Sequence, residues 1–213
     1  MELSVSDLTA SQRYKLLIGG IVPRPIAFVS TISVSGQSNL APFSFFAGVC
    51  SDPMTLLFCP ANAADGGEKD TLRNAAPPAE GGTGEFVVNV AVEAYANRVA
   101  AAAEPLPSSR SEFDFIELTR ADAAMVKPPR VAESPVAYEC RTLQVIRLNP
   151  GAPAGGNIVI GEVVHVFVRD DLIDDRLRID ADALRAIGRM GGLSYCRTRD
   201  RFEMSVGAAA LEK

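Results

Sequence analysis

The chain has 213 residues, 47% of them hydrophobic, which is enough to bury a substantial core and fits one domain better than two. Its net charge of −5, with Arg and Lys scattered along the chain, argues against a nucleic-acid-tracking surface, so any anion site must be local. No apolar run reaches the ~18 residues needed to span a bilayer. The opening MELSVSDLTA lacks the basic-then-apolar order of a secretory signal, so no membrane contact and a cytoplasmic location are expected.

Residues Val22 to Ile32 read as a strand, with Pro25 near its start, where a missing backbone donor is tolerated. A turn centred on Gly36 leads to a second strand, Asn39 to Val49, broken at Asp52-Pro53, and MTLLFCP (54–60) reads as a buried third strand. After a small, Gly-rich stretch, KDTLRNAA suggests a short helix capped by Asp70 and stopped before Pro77-Pro78. EFVVNVAV is a strand, and an Ala-rich helical stretch from Glu93 to Ala103 ends at Pro105 and Pro107.

Two long strands follow, Val136 to Leu148 and Asn157 to Val168. Both faces of the second are largely apolar, so it should be covered on both sides; in a barrel, the outer side would need a helix or a second subunit. Asp182 to Ile187 reads as a short helix, and the tail from Arg189 as irregular.

Chemistry-bearing residues are sparse. With His165 as the only histidine, placed mid-strand, zinc sites and His-dependent triads have little material. Cys50, Cys59, Cys140 and Cys196 fit no paired metal spacing and read as structural thiols. No G-x-G-x-x-G opens a helix after a strand, so a Rossmann unit is not indicated. What remains is a local anion cradle: Lys69 supplies charge, and the helix start at Asp70-Thr71 supplies a hydroxyl and unpaired N–H groups. Arg24 is a second candidate for a phosphate or a pyrimidine ring, because its fork bonds two acceptors. Ser30 and Thr31, facing Asn39 to Phe46, could line the polar edge of a flat ring. Taken singly, Lys69 and Arg24 read more readily as solvated surface charges, the Ser and Thr residues as ordinary strand-end and turn residues, and Phe43, Phe45 and Phe46 as core packing.

PRPIAFVST, NLAPFSFF, Asp52-Pro53, KDT, GEFVVN and IVIGEVVHVFV occur in an order that resembles the flavin reductase-like, FMN-binding split-barrel family, over about 14–195. The resemblance implies a mainly β, Greek-key split barrel with peripheral helices, forming a homodimer with FMN near the subunit interface. It carries Arg24, Ser30, Thr31, Asn39, Ala41, Ser44, Lys69, Asp70 and Thr71 to the cofactor, with Pro25 and Phe45 shaping the site. Arg189 and Tyr195 match a C-terminal segment near the site that can come from the partner subunit. The stretch before Lys69 and the loop 75–84 are longer than the family pattern. The expected activity is transfer of hydride from NAD(P)H to flavin, with electrons passed to a monooxygenase or another acceptor. The alternatives are an FMN electron carrier reduced by a protein partner and a flavin-binding module without reductase activity.

Overall fold

The computed structural model describes residues 1–211. Helix α1 (Ala10–Gly20) begins with a capping box in which Thr9 and Gln12 satisfy each other's free N–H groups. Strands β1 (Arg24–Pro25), β2 (Ala27–Ile32), β3 (Ser38–Phe43), β4 (Phe46–Ser51) and β5 (Met54–Phe58) follow. Then come α2 (Asp70–Ala75), β6 (Glu85–Val90), α3 (Ala96–Ala101) and α4 (Glu112–Phe115). Two-residue strands β7 (Arg120–Ala121) and β8 (Arg130–Val131) precede the long β9 (Val136–Arg147) and β10 (Asn157–Val168). The chain closes with α5 (Ala181–Leu184), β11 (Ile187–Arg189) and β12 (Tyr195–Arg197). No helix among the described residues is long and apolar enough to cross a membrane.

Seven strands form one antiparallel sheet in the order β3-β2-β6-β9-β10-β5-β4. The stretch Asn39 to Val49 is therefore not the single strand its composition suggests. Ser44 and Phe45 divide it, and its two halves lie on opposite edges of the sheet. Phe43 and Phe46 are three residue steps apart, at most ~11 Å. A seven-stranded sheet whose edges come that close has to curl on itself, and no ladder joins β3 to β4. The result is a barrel with an open seam.

Alternation along β2 separates two packing layers. Ala27 and Val29 point into the barrel with Phe43, Phe58, Phe86, Val88 and Val159, and Leu72 and Ala75 of α2 plug the same core. Phe28 and Leu40 point outward, under Tyr95, Val99 of α3 and Phe113 of α4. Glu93–Tyr95 is a single 3-10 turn leading into α3, and the segment 182–187 is divided by left-handed Arg185 into α5 and β11. The tail from Arg189 is also more regular than expected, because β12 pairs with β11, which pairs with β1.

The second face of β10 is covered partly by the loop 122–130: Val126 and Ala123 pack near Val164 and Phe167, and Arg130 lies 3.9 Å from the Phe167 ring centroid. The same face buries Glu139, which accepts hydrogen bonds from the N–H groups of Ala124 and Met125 and meets His165 at 3.2 Å. His165 therefore has a structural partner.

Gly161 sits at a register shift of β10, and a Cβ there would lie 2.7 Å from Cε1 of the fully buried Phe86 and 3.3 Å from Cβ of Cys140. Gly161→Ala should therefore overpack the barrel and lower unfolding free energy by about 1–3 kcal/mol, read as a shifted urea midpoint at unchanged slope. An unchanged midpoint would mean that the barrel interior is loose at this point.

Candidate functional site

The same alternation decides which candidate residues meet. Asn39, Ala41 and Phe43 share the β3 face that continues into the barrel, and with Lys69, Asp70 and Thr71 of the α2 start they line a cavity of about 380 Å³. The facing wall is formed by residues 102–106, Ser108 and Glu112. The Asn39 side-chain amide donates to Thr71 Oγ1 at 2.9 Å, fixing α2 against β3. On the next strand, Thr31 Oγ1 accepts from the Asn74 side-chain amide at 3.1 Å. Thr31 is fully buried and supports this wall from behind without lining the cavity.

Lys69 occupies the N-cap position of α2, and Asp70 is the first helical residue. This corrects the expected capping by Asp70, whose carboxylate instead pairs with Arg73. Sequence reading passed over Arg73, although its spacing of three from Asp70 on a helix is the signal for such a pair. The pairing offsets the charge of Asp70 where it lines the cavity, and Lys69 remains exposed with no ion-pair partner among the described residues. Arg147 of β9 binds Glu68 at 2.5 Å and Glu80 at 2.7 Å, tying the loops before Lys69 and before β6 to the barrel wall.

Ser30 departs from the expected set. Its side chain is on the outward face with Phe28, fully buried, and donates to the Pro129 carbonyl at 2.5 Å while accepting from Asn89. Arg24 is likewise committed to structure. Its Nη1 donates to the carbonyls of Ile18 and Ile21 at 2.7 Å, Nη2 donates to Met190 at 3.0 Å, and Nε donates to Ser44 Oγ at 3.2 Å. The guanidinium also lies 5.9 Å from the Phe45 ring centroid. At 3% exposure, Arg24 joins α1, the seam and the C-terminal hairpin, and is not available for the phosphate near Lys69.

Arg24 and Pro25 line a different cavity, about 490 Å³ and largely apolar, with Phe46, Met54, Leu56 and Ile187. Arg189 and Tyr195 meet as a cross-strand pair, the guanidinium 4.4 Å from the ring centroid, and neither lines the Lys69 cavity within this subunit.

Glu112 was not singled out from the sequence. It is 7% exposed, lines the Lys69 cavity, and its Oε2 accepts the Leu40 N–H at 2.9 Å. Burial raises its pKa above the ordinary glutamate value; the Leu40 hydrogen bond opposes this and Asp70 adds to it. The cavity fits the polar, phosphate-bearing end of a flavin: its volume lies within the usual ligand range, and it combines an exposed lysine, a hydroxyl and the free N–H groups of a helix start.

A family model described as a flavin reductase like domain matches residues 19–199. Nitrilotriacetate monooxygenase component B from Bacillus cereus has a TM-score of 0.88 at 33% identity, covering 96% of this chain and 98% of its own. The 2-nitrobenzoate 2-nitroreductase of Pseudomonas fluorescens has a TM-score of 0.84 at 31% identity, covering 98% and 97%. A Shewanella frigidimarina protein described as a flavin reductase with a split barrel domain reaches 0.77 at 19% identity, covering 97% and 100%, which shows the fold alone.

Two variants separate structural from ligand-facing roles. Arg24→Lys cannot reproduce the four donors and should cost about 1–3 kcal/mol in urea unfolding, the penalty for buried carbonyls left without a donor. For Glu112, the raised native pKa means that the folded state holds the proton more tightly than the unfolded state. Its contribution is therefore fully present at low pH and is lost as pH rises through the native value. Wild type should lose stability relative to Glu112→Gln as pH climbs above the ordinary value of about 4.3, with parallel pH profiles as the contrary result.

Proposed function

Because the chain belongs to the flavin reductase-like family, we propose that it binds FMN in the cavity between β3 and α2 and uses it to carry hydride from NAD(P)H to a further acceptor. The observation that carries this reading is the joining of Lys69, Thr71, Asn39 and Ala41 around one cavity, with Asn39 bonded to Thr71. Lys69 and the Thr71 hydroxyl bind the flavin phosphate, and the ring system lies along the wall formed by Asn39 and Ala41. When bound, the flavin supplies the hydride-accepting chemistry, so no side chain has to act as acid or base. The protein contributes orientation: two rings held within reacting distance, and fixed dipoles around one of them.

The electrons go on to a monooxygenase partner, a reading supported by the similar protein that is named as a monooxygenase component. The large apolar cavity beside Arg24, together with the likeness to a nitroreductase, favours a small aromatic acceptor as a second reading. A homodimer is part of the proposal. Tyr14, Leu16, Leu17 and Ile21 around α1, and Val49 on the edge strand β4, are exposed apolar groups that a second copy would cover. Arg189 and Tyr195 would then reach the flavin of the partner.

Anaerobic NADH or NADPH should bleach protein-bound FMN. Bound flavin that neither nucleotide reduces would leave the electron-carrier alternative. Lys69→Ala combined with Thr71→Ala should weaken FMN binding by about 1.5–3 kcal/mol for each lost charge-assisted bond, measured by flavin fluorescence titration. Unchanged affinity in the double variant would put the phosphate elsewhere.

A further inference from the structure

Helix α2 plugs one end of the barrel and leaves the other open. It meets the sheet at the end of β2, where Asn74 bonds Thr31, and at Thr142 of β9, whose hydroxyl donates to the Ala75 carbonyl at 2.6 Å. The apolar cavity of about 490 Å³ lies at the opposite end, where Ile26 precedes β2, Val90 closes β6 and Tyr138 stands near the start of β9. Phe46, Met54, Leu56 and Ile187 line it, and Tyr138 and Val163 connect it to the cluster inside the barrel. Barrel mouths are recurrent small-molecule sites, and this volume lies within the range such sites span.

Almost every polar group of the mouth is already engaged. Arg24 is the charged residue of the lining, and its guanidinium is committed to three carbonyls and the Ser44 hydroxyl. Thr55 Oγ1 and Cys50 Sγ both donate to the Pro53 carbonyl, at 2.8 Å and 3.1 Å, and Thr198 Oγ1 donates to the Ala186 carbonyl at 2.9 Å. The side-chain donor left over is the Tyr138 hydroxyl, which makes no hydrogen bond among the described residues. Burial holds its ionisation above the usual tyrosine range, with Cys140 adding to the effect, so it remains a neutral donor.

From this geometry we propose that the barrel mouth binds one neutral aromatic molecule carrying a hydrogen-bond acceptor, a ketone, quinone or nitro oxygen, with the Tyr138 hydroxyl as its donor. An ion is disfavoured: with Arg24 occupied, a carboxylate or phosphate entering the mouth would lose water without gaining a counter-charge. The Phe46 ring and the polarisable Met54 thioether favour an aromatic guest over an aliphatic one. The proposal rests on the aromatic-acceptor reading of this cavity and narrows it to neutral ligands. Binding is tested without electron transfer, so its failure is separable from that of the flavin reading.

Equilibrium dialysis of the purified protein measures binding of 2-acetylnaphthalene and 2-nitronaphthalene, with 2-ethylnaphthalene as the hydrocarbon of similar shape and 2-naphthoate as the charged analogue. Wild type should hold the ketone and the nitro compound about fivefold tighter than the hydrocarbon, the scale of one neutral hydrogen bond, and the naphthoate least tightly. Tyr138→Phe should bring the three neutral compounds to within about twofold of one another. Because the hydroxyl has no protein partner, the urea midpoint of this variant should not fall. Gly48→Leu is the second variant: Gly48 lines the mouth, and a Cβ there meets nothing within 4 Å, so the new side chain should fill the space and weaken all three neutral compounds about tenfold or more. The proposal is overturned by a hydrocarbon bound as tightly as the ketone in wild type, by a preference that survives Tyr138→Phe, or by affinities untouched by Gly48→Leu. Displacement of the ketone by FMN would also overturn it, since the flavin itself would then occupy the mouth. If FMN binds and the naphthalenes do not, only the mouth fails; if the ketone binds and FMN does not, only the flavin reading fails.

Discussion

Two residues, Ser44 and Phe45, join strands at opposite ends of a seven-stranded sheet, and the rest of the architecture follows from that short connection. The sheet must curl until its edges nearly meet, yet the edges cannot pair. Pro42 removes a donor from β3, and the Leu40 N–H, which points off the sheet edge, is taken by Glu112. Arg24 then locks the seam by bonding Ser44, the end of α1 and the Met190 carbonyl at once. A cavity forms beside each unpaired edge. β3 with α2 makes the polar one that holds Lys69 and Thr71, and β4 and β5 with β1 and β11 make the apolar one.

Burial and charge then divide the labour. The barrel interior is apolar, filled by Phe58, Phe86 and their neighbours and plugged by Leu72 of α2, which seats the start of that helix at the cavity. Local pairing removes part of the acidic charge there. Arg73 offsets Asp70 and Arg147 offsets Glu68 and Glu80, leaving Lys69 as the cation of the β3–α2 cavity without an ion-pair partner among the described residues, in a lining that also holds Asp65, Glu104 and Glu112.

Much of this was legible in the sequence because it is local. The period-2 runs marked β2, β5, β6, β9 and β10, Gly36 marked the turn, and KDT marked the start of a short helix. The division at Ser44-Phe45 was not legible, since both halves of that stretch have strand composition and only the sheet order assigns them to different edges. Arg24 also read as a ligand group because its four acceptors come from residues 18, 21, 44 and 190, brought together only by the fold. Ser30 is a different case. Strict alternation from Ala27 and Val29 already places it on the outer face with Phe28, so the signal was present in the residue count along β2. The capping box at Thr9 and Gln12 likewise lay in plain sequence.

The proposed function places the cofactor phosphate between Lys69 and Thr71 in the cavity beside β3. A crystal structure of the complex with FMN tests it most directly. Phosphate oxygens are expected within ~2.7–3.2 Å of Lys69 Nζ and Thr71 Oγ1, with the ring system along Asn39 and Ala41. A flavin seated instead in the apolar cavity of Pro25, Met54 and Ile187, with Lys69 free, would contradict it.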